Sequence, residues 1–180
     1  MKSKLWVFPC LALLLLACSN QDSQSSPPIE AIDRVRLLAG LTRSDLTFVE
    51  TTTMINSPSG DLRVDLYRDE EGRQFYVEPI TNIVVEMDAR SLLGIAHQSD
   101  GFTQSKTQLE EKVRQFVQGV IPGFASVENS LRYESREKEG IFFFDWREEN
   151  IEGAFMPRFI QVGMTSYGDM FAFYNTVSIR

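Results

Sequence analysis

Hydrophobic residues in the first half of the chain follow a helical spacing and then a strand spacing. Ile32, Val35 and Ala39 recur every three or four residues, which predicts an amphipathic helix. Pro28 suits the first turn of that helix and Gly40 suits its end. Runs that are β-branched or alternate apolar with polar residues then predict strands at 47–55, 61–68, 73–78 and 82–88.

The second half of the chain presents the same order of elements. One helical face carries only apolar residues, namely Leu109, Val113, Phe116, Val117 and Val120. Thr107 and Glu110 have the spacing of a capping box at the start of this helix. Gly119, Pro122 and Gly123 predict its end. Strands are predicted at 130–137, 141–147, 156–164 and 169–175.

Short segments of the two halves also match residue by residue. Residues 67–70 (YRDE) correspond to 146–149 (WREE), and 73–77 correspond to 158–162. We therefore predict an α+β fold built from two copies of a helix followed by three or four antiparallel strands. The copies span 29–90 and 105–180, are joined by a connector at 91–104, and pack together because one copy alone buries its apolar face poorly. Chance similarity of two α+β segments is the alternative.

The order of elements and several segments resemble PepSY-type domains, which occur in secreted and membrane-attached bacterial proteins. The resemblance rests on residues 62–67, 83–88 and 143–146, and on a turn at 167–169 before the last strand. Tyr167 stands where the family usually has threonine before the glycine, and the first copy lacks that glycine, with 80–82 instead. The resemblance implies modulation of peptidases or work in the cell envelope, and it supplies no catalytic residues.

The N-terminus has the pattern of a secretory signal. Lys2 and Lys4 precede an apolar stretch from 5 to 17, which is shorter than the roughly 20 residues that a membrane span needs. The stretch ends in Leu15-Leu16-Ala17-Cys18, which resembles the lipobox of bacterial lipoproteins. That resemblance implies that residues 1–17 are removed and that Cys18 is acylated. An ordinary signal peptide with a chance cysteine is the alternative.

A lipid on Cys18 would anchor the protein to a membrane without spanning it. Ser19 stands where aspartate would indicate inner-membrane retention, so the resemblance favours the outer membrane, facing the periplasm, in a Gram-negative cell. Residues 20–28 are polar, which predicts a flexible tether over 18–28. Cys10 leaves with the signal peptide and Cys18 carries lipid, so the mature domain is expected to have no disulfide.

Composition restricts the partners that the protein can have. The chain carries 18 basic and 25 acidic residues, a formal net charge of −7, and cleavage would also remove Lys2 and Lys4. Nucleic acid and anionic membrane surfaces repel such a chain, so we expect no nucleic-acid binding. The partners expected are membrane lipid, through acylated Cys18, and an envelope protein or peptide.

The sequence offers no catalytic set, metal site or cofactor motif. His97 is the only histidine, and it lies in the polar connector beside Ser99 and Asp100. A Ser-His-Asp hydrolase needs a base held by a third group, and no nucleophile-elbow glycine pattern is present, so an exposed linker histidine is expected. Zinc sites need several histidine or cysteine ligands. The acidic runs 69–71 and 148–149 fall in predicted turns, where solvated acids are expected. Calcium binding by these oxygen ligands is the alternative, although the regular spacing of a calcium loop is absent. We therefore predict a protein that is not an enzyme and holds no cofactor.

Aromatic residues of the second half give the candidate binding site. Apolar residues occupy both faces of the strands at 141–147 and 169–175, whereas a sheet with one face in water should alternate. The second sheet is thus expected to be covered on both sides, either by the first copy or by a partner. The candidate partner-binding residues are Phe142, Phe144, Trp146, Phe171 and Phe173.

Three functional hypotheses follow. The first is a lipid-anchored, non-catalytic module that binds a protein or peptide, possible roles being peptidase modulation or envelope assembly. The second is a carrier of an apolar small molecule between two sheets. The third is a hydrolase that uses His97 or the acidic turns.

Overall fold

The computed structural model describes residues 27–57, 60–93, 102–149 and 157–177. These residues form three α-helices, eight strands and two short 3-10 helices. The helices are α1 (Pro27–Ala39), α2 (Lys106–Val120) and α3 (Phe124–Val127). The strands are β1 (Leu46–Ser57), β2 (Gly60–Asp69), β3 (Gln74–Glu78), β4 (Ile83–Asp88), β5 (Leu131–Lys138), β6 (Ile141–Glu148), β7 (Phe159–Thr165) and β8 (Met170–Asn175).

All eight strands form one antiparallel sheet, in the order β1-β2-β3-β4-β8-β7-β6-β5. Strands β1–β4 form one meander and β5–β8 form another, and the two meet where β4 pairs with β8. The α+β class is confirmed. The carrier hypothesis assumed a cleft between two sheets, and that assumption is wrong because the strands make one continuous sheet.

The helices cover one face of the sheet. Helix α1 ends beside the β2–β3 turn, and α2 begins beside the β7–β8 turn, where Gln104 N–H donates to Ser166 O at 2.8 Å. Both turns lie at the same end of the sheet, since Gln74 and Ala172 each pair with Asp88. The two helices therefore run in opposite directions. They approach closely at Gly119, where a Cβ would lie 2.5 Å from a methyl carbon of Leu38.

Helix α2 begins two residues earlier than the predicted capping box indicates. Ser105 is the N-cap, its hydroxyl accepts from the Gln108 N–H, and the Gln108 side chain accepts from the Ser105 N–H at 2.8 Å. The predicted capping box of Thr107 and Glu110 is wrong, because both residues lie inside the helix. Glutamine serves the same role as glutamate in this motif.

A network of buried charges joins α1 to the sheet. The Asp69 carboxylate, whose side chain is fully buried, accepts from Arg36 Nη2 at 2.9 Å and from Arg73 Nε at 2.6 Å. Arg36 also donates to Ser44 O, and Arg73 donates to Thr42 O, which fixes the loop between α1 and β1. Burial alone would raise the pKa of Asp69, but the hydrogen bonds from Arg73 and Arg36 outweigh it and lower that pKa.

The network also corrects an expectation about the acidic turns. Asp69 was expected to be solvated, and it is instead the shared acceptor of two guanidinium groups that are themselves buried. A charged side chain is stable at such a site only when its partners satisfy it. Asp69 is therefore a structural residue.

Among the described residues, none of the helices has the length and apolar character that crossing a bilayer requires.

Replacing Asp69 with asparagine should lower the free energy of unfolding by about 3–5 kcal/mol. Two buried guanidinium groups lose the buried carboxylate that they share and keep only the more exposed Asp33 and Glu71 as counter-charges. Urea denaturation followed by circular dichroism measures this change. Asp61→Asn at an exposed position of β2 is the matched control and should change stability by less than about 0.5 kcal/mol.

The same pair of variants has a distinct pH dependence. Because the folded pKa of Asp69 lies below its ordinary value of 3.8, its contribution is present above that pH and is lost as the pH falls. Below this value the wild type and Asp61→Asn should lose stability more steeply than Asp69→Asn. Equal slopes in all three proteins would contradict the assignment of Asp69 to the network.

Candidate functional site

Four of the five candidate aromatic residues lie in the core beneath the helices. Phe142, Phe144 and Trp146 share one face of β6 and are buried with Phe173 in the helix-side cluster. The Trp146 ring meets the Phe124 ring of α3 edge to face at 5.6 Å, and Phe173 meets Phe116 of α2 at 5.1 Å. Helices of the same chain thus cover this apolar face of β6 and β8, for which the sequence had suggested either the first copy or a partner.

Phe171 lies on the opposite face of the sheet from Phe173. Regular alternation along the strand predicts that Phe171 and Phe173 share a face. That prediction is wrong, because a register shift between Gly163 and Met164 leaves Phe171 as an extra residue of β8. Its ring covers Gly163, where a Cβ would lie 2.7 Å from two ring carbons. It also meets Phe143 edge to face at 5.9 Å. Glycine in β7 makes room for this ring.

All five aromatic side chains are therefore buried, since each is at most 7 % exposed. The two-sided apolar pattern that singled them out has a structural cause on both faces. Helices α2 and α3 cover one face, and the Phe143–Phe171 pair fills the other. A partner surface has to be sought among other residues.

Two further predicted residues, Cys18 and His97, lie outside the described residues. Among the residues that the structure describes, no group of three or more histidine, cysteine, aspartate or glutamate side chains is arranged to hold a metal ion.

The seam between β4 and β8 carries a cluster of titratable groups on the face away from the helices. Burial raises the pKa of Glu86, which lies opposite Tyr174 and is hydrogen-bonded to it. Burial and the neighbouring Glu86 charge raise the pKa of Tyr174. Asp88 is held by Arg90, whose Nη2 donates at 2.5 Å. Glu86 and Tyr174 bond across the seam, and Asp88 and Arg90 bond beside it, so these groups stabilise the junction of the two meanders.

Two cavities of about 210 Å³ each lie at opposite ends of the sheet. One is bordered by Leu41, Arg73 and Phe171, and the guanidinium of Arg73 is already committed to Asp69, Glu71 and Thr42. The other lies between Arg34 of α1 and Asn82 of the β3–β4 turn. Ligand pockets usually exceed about 300 Å³, so neither cavity favours the carrier hypothesis.

The outer edge of β1 is the feature of the surface that a partner could use most directly. β1 pairs with β2 on one side and, among the described residues, with no strand on the other. Its residues 47–51 and 53 are exposed, and Phe48 and Val49 are the largest apolar ones, at 52 % and 42 %. Unpaired backbone N–H and C=O groups along such an edge are a template for another strand.

The register of β1 defines how much of this edge is regular. A shift between Phe48 and Glu50 and another between Met54 and Ser57 bound the segment Glu50–Met54, which pairs residue by residue with β2. Thr51 Oγ1 donates to Asp65 Oδ1 at 2.6 Å across this pair. The Phe48 ring packs edge to face on Tyr67 at 5.7 Å. The segment Glu50–Met54 is thus a regular strand whose backbone is positioned by β2.

The opposite edge of the sheet is built differently. Five of the eight residues of β5 are charged, namely Arg132, Glu134, Arg136, Glu137 and Lys138. Charged side chains on an edge strand oppose pairing with another chain. β1 has one charge, Glu50, within LTFVETTTMINS, and it contains no lysine or proline. Only one of the two edges therefore lacks this protection.

Sequence reasoning missed this site although a signal was present. The three consecutive threonines 51–53 and the lack of charge distinguish β1 from β5 in the sequence alone. What the local pattern does not contain is the strand order, which decides that β1 is at an edge.

Phe144→Ala should act on stability and leave partner binding by the folded protein unchanged, because Phe144 is 0 % exposed beneath the helices. Loss of a buried phenylalanine costs about 3–5 kcal/mol, which urea denaturation measures. Phe102→Ala, at a residue that is 93 % exposed, is the control and should leave stability nearly unchanged. Normal stability of the Phe144 variant would place that ring outside the core.

Comparison of the chain with protein-family models, with curated proteins and with solved structures finds no match. The resemblances to lipoproteins and to PepSY-type domains stay predictions.

Proposed function

We propose that the protein is a lipid-anchored, non-catalytic module of the cell envelope that binds an extended segment of a partner polypeptide along β1. The observation that carries the proposal is the outer edge of β1, which no strand of the described part of the chain covers and which has one charged residue. Addition of a strand to an exposed edge is a recurring mode of peptide recognition, in which main-chain hydrogen bonds supply affinity.

The side chains beside this edge would supply the specificity. A strand that pairs with Glu50–Met54 brings its own side chains against those of β1, on alternate faces. Phe48 and Val49, just before the regular segment, offer an exposed apolar contact next to the Tyr67 ring. Thr51, Thr52 and Thr53 suit close cross-strand packing because they are β-branched.

The proposed anchor would hold this module close to a bilayer. Cys18 precedes Pro27, the first residue of α1, by nine residues, a stretch that reaches at most about 30 Å when fully extended. Anchoring raises the concentration of the module next to envelope partners, as any tether does. The outer membrane, facing the periplasm, remains the proposed location where the cell has one.

We also propose that the two meanders, each with the helix before it, are copies of one unit at 29–90 and 105–180. The residues matched in sequence support this, because they make equivalent contacts. Asp69 N–H donates to Arg73 O at 3.1 Å, and Glu148 N–H donates to Arg158 O at 3.0 Å. In both pairs the arginine Nε also donates to the carboxylate, at 2.6 Å and 3.0 Å.

The resemblance to PepSY-type domains suggests what the bound partner could do. A peptidase or an envelope-assembly protein would present an extended segment to the edge, and the module would modulate that protein by holding the segment. Nothing in this role requires catalysis.

Cys18→Ser should release the protein from the membrane fraction, because the proposed acylation needs the thiol. Fractionation of cells, with mass spectrometry of the N-terminal peptide, measures both attachment and the lipid. Cys10→Ser, inside the proposed signal peptide, is the matched control and should stay lipidated. Membrane attachment of the Cys18 variant would contradict the anchor.

A photo-crosslinking residue in place of Thr51 should give a discrete adduct with a partner polypeptide in intact cells, and the same residue in place of Gln118 of α2 should not. Adding Thr53→Lys should abolish the Thr51 adduct, because lysine on an edge strand opposes pairing. Gln118→Lys, at an exposed helix position, is the control of equal charge. An adduct that survives Thr53→Lys would contradict strand addition.

A further inference from the structure

The charge around the β1 edge restricts the kind of segment that can pair there. Glu50 is the one charged residue of β1, it is exposed, and it begins the regular segment Glu50–Met54. Asp45, one residue before the strand, is also exposed. An incoming strand would place one of its side chains directly opposite Glu50, where opposite charges stabilise a pair and like charges destabilise it.

The neighbouring strand does not reverse this preference. Arg63 and Arg68 of β2 are exposed, and Asp61 and Asp65 stand on the same strand. Because β2 lies one strand further from an incoming segment, its charges act at longer range than Glu50 does. The chain as a whole carries a formal charge of −7, so its long-range field attracts cations.

We propose that the β1 edge selects a cationic extended segment in which basic and apolar residues alternate. This inference rests on the proposed function and specifies its partner. A lysine or arginine of the segment pairs with Glu50 on one face of the sheet. An apolar residue next to it in the segment lies on the other face, toward Phe48, whose strand partner Tyr67 packs against the helix-side core.

A second copy of this chain is the less suitable occupant. Two molecules that each carry a net charge of −7 repel one another. Pairing of two regular segments of five residues, Glu50–Met54 in each copy, also buries far less than the roughly 1,200 Å² of a stable interface. A cationic segment of a partner buries a similarly small area, but the charge of this chain attracts it instead of repelling it.

The test uses the purified full-length protein in neutral detergent and three fluorescent, capped heptapeptides. One alternates lysine with valine, one alternates glutamate with valine, and one is the lysine peptide with its central valine replaced by proline. Fluorescence anisotropy gives the affinities at low and high salt. Amide hydrogen exchange reports whether β1 or another element is protected. The variants are Glu50→Lys and, as the matched control of equal charge change on the other edge, Glu137→Lys.

The lysine peptide should bind about tenfold more tightly than the glutamate peptide at low salt, and the difference should shrink at high salt. It should protect the amides of residues 50–54, and the proline peptide should not. Glu50→Lys should remove or reverse the preference, whereas Glu137→Lys should preserve most of it.

Three results would overturn the inference. Equal binding of the lysine and glutamate peptides with protection of β1 would refute the cationic preference and leave strand addition standing. Concentration-dependent dimers that Thr53→Lys disrupts would make a second copy the occupant. Absence of β1 protection by either peptide, together with no adduct at Thr51 in cells, would refute both this inference and the proposed function.

Discussion

Three residue pairs, from Glu86 with Tyr174 to Asp88 with Ala172, join the two meanders into one sheet. This short seam decides the position of every other element. Because the last strand of each meander lies at the centre, the first strand of each, β1 or β5, is left at an edge. On the helix side, Met87 and Phe173 pair across the seam and Phe116 of α2 packs on Phe173, so the helices cover the joint itself. On the other side, the Glu86 carboxyl and the Tyr174 hydroxyl satisfy one another.

The buried ion pairs of Asp69 fix the chain at one end of the sheet, as the seam does at its centre. Asp69 holds Arg36 of α1 and Arg73 at the start of β3, and the two guanidinium groups hold the carbonyls of the loop that leads into β1. The beginning of β1 is thereby positioned by polar contacts, while its outer edge remains free of them. Such prior positioning of the strand backbone would lower the entropic cost of the proposed strand addition. The Asp69 network thus positions the start of the strand whose outer edge is proposed to bind.

The sequence predicted the local elements well and the long-range arrangement poorly. Both long helices and all eight strands lie close to the predicted positions, because their apolar spacing is strong. The strand order could not be predicted, since the pairing of β4 with β8 depends on residues almost ninety positions apart. The face on which Phe171 lies was missed because one extra residue in a strand reverses the alternation that follows. Asp69 was missed because its short acidic run has the composition of a solvated turn, and only the fold brings Arg36 to it.

The charged edge of β5 has a consequence for the behaviour of many copies at high concentration. Pairing of β1 of one molecule with β5 of the next would repeat without closing, and such head-to-tail contacts generate filaments. Five charged side chains on β5 oppose that contact, whereas the rest of the sheet leaves β1 free to accept a strand. A concentrated population of these molecules would thus resist polymerisation, although no described strand covers the outer edge of β1 in any copy.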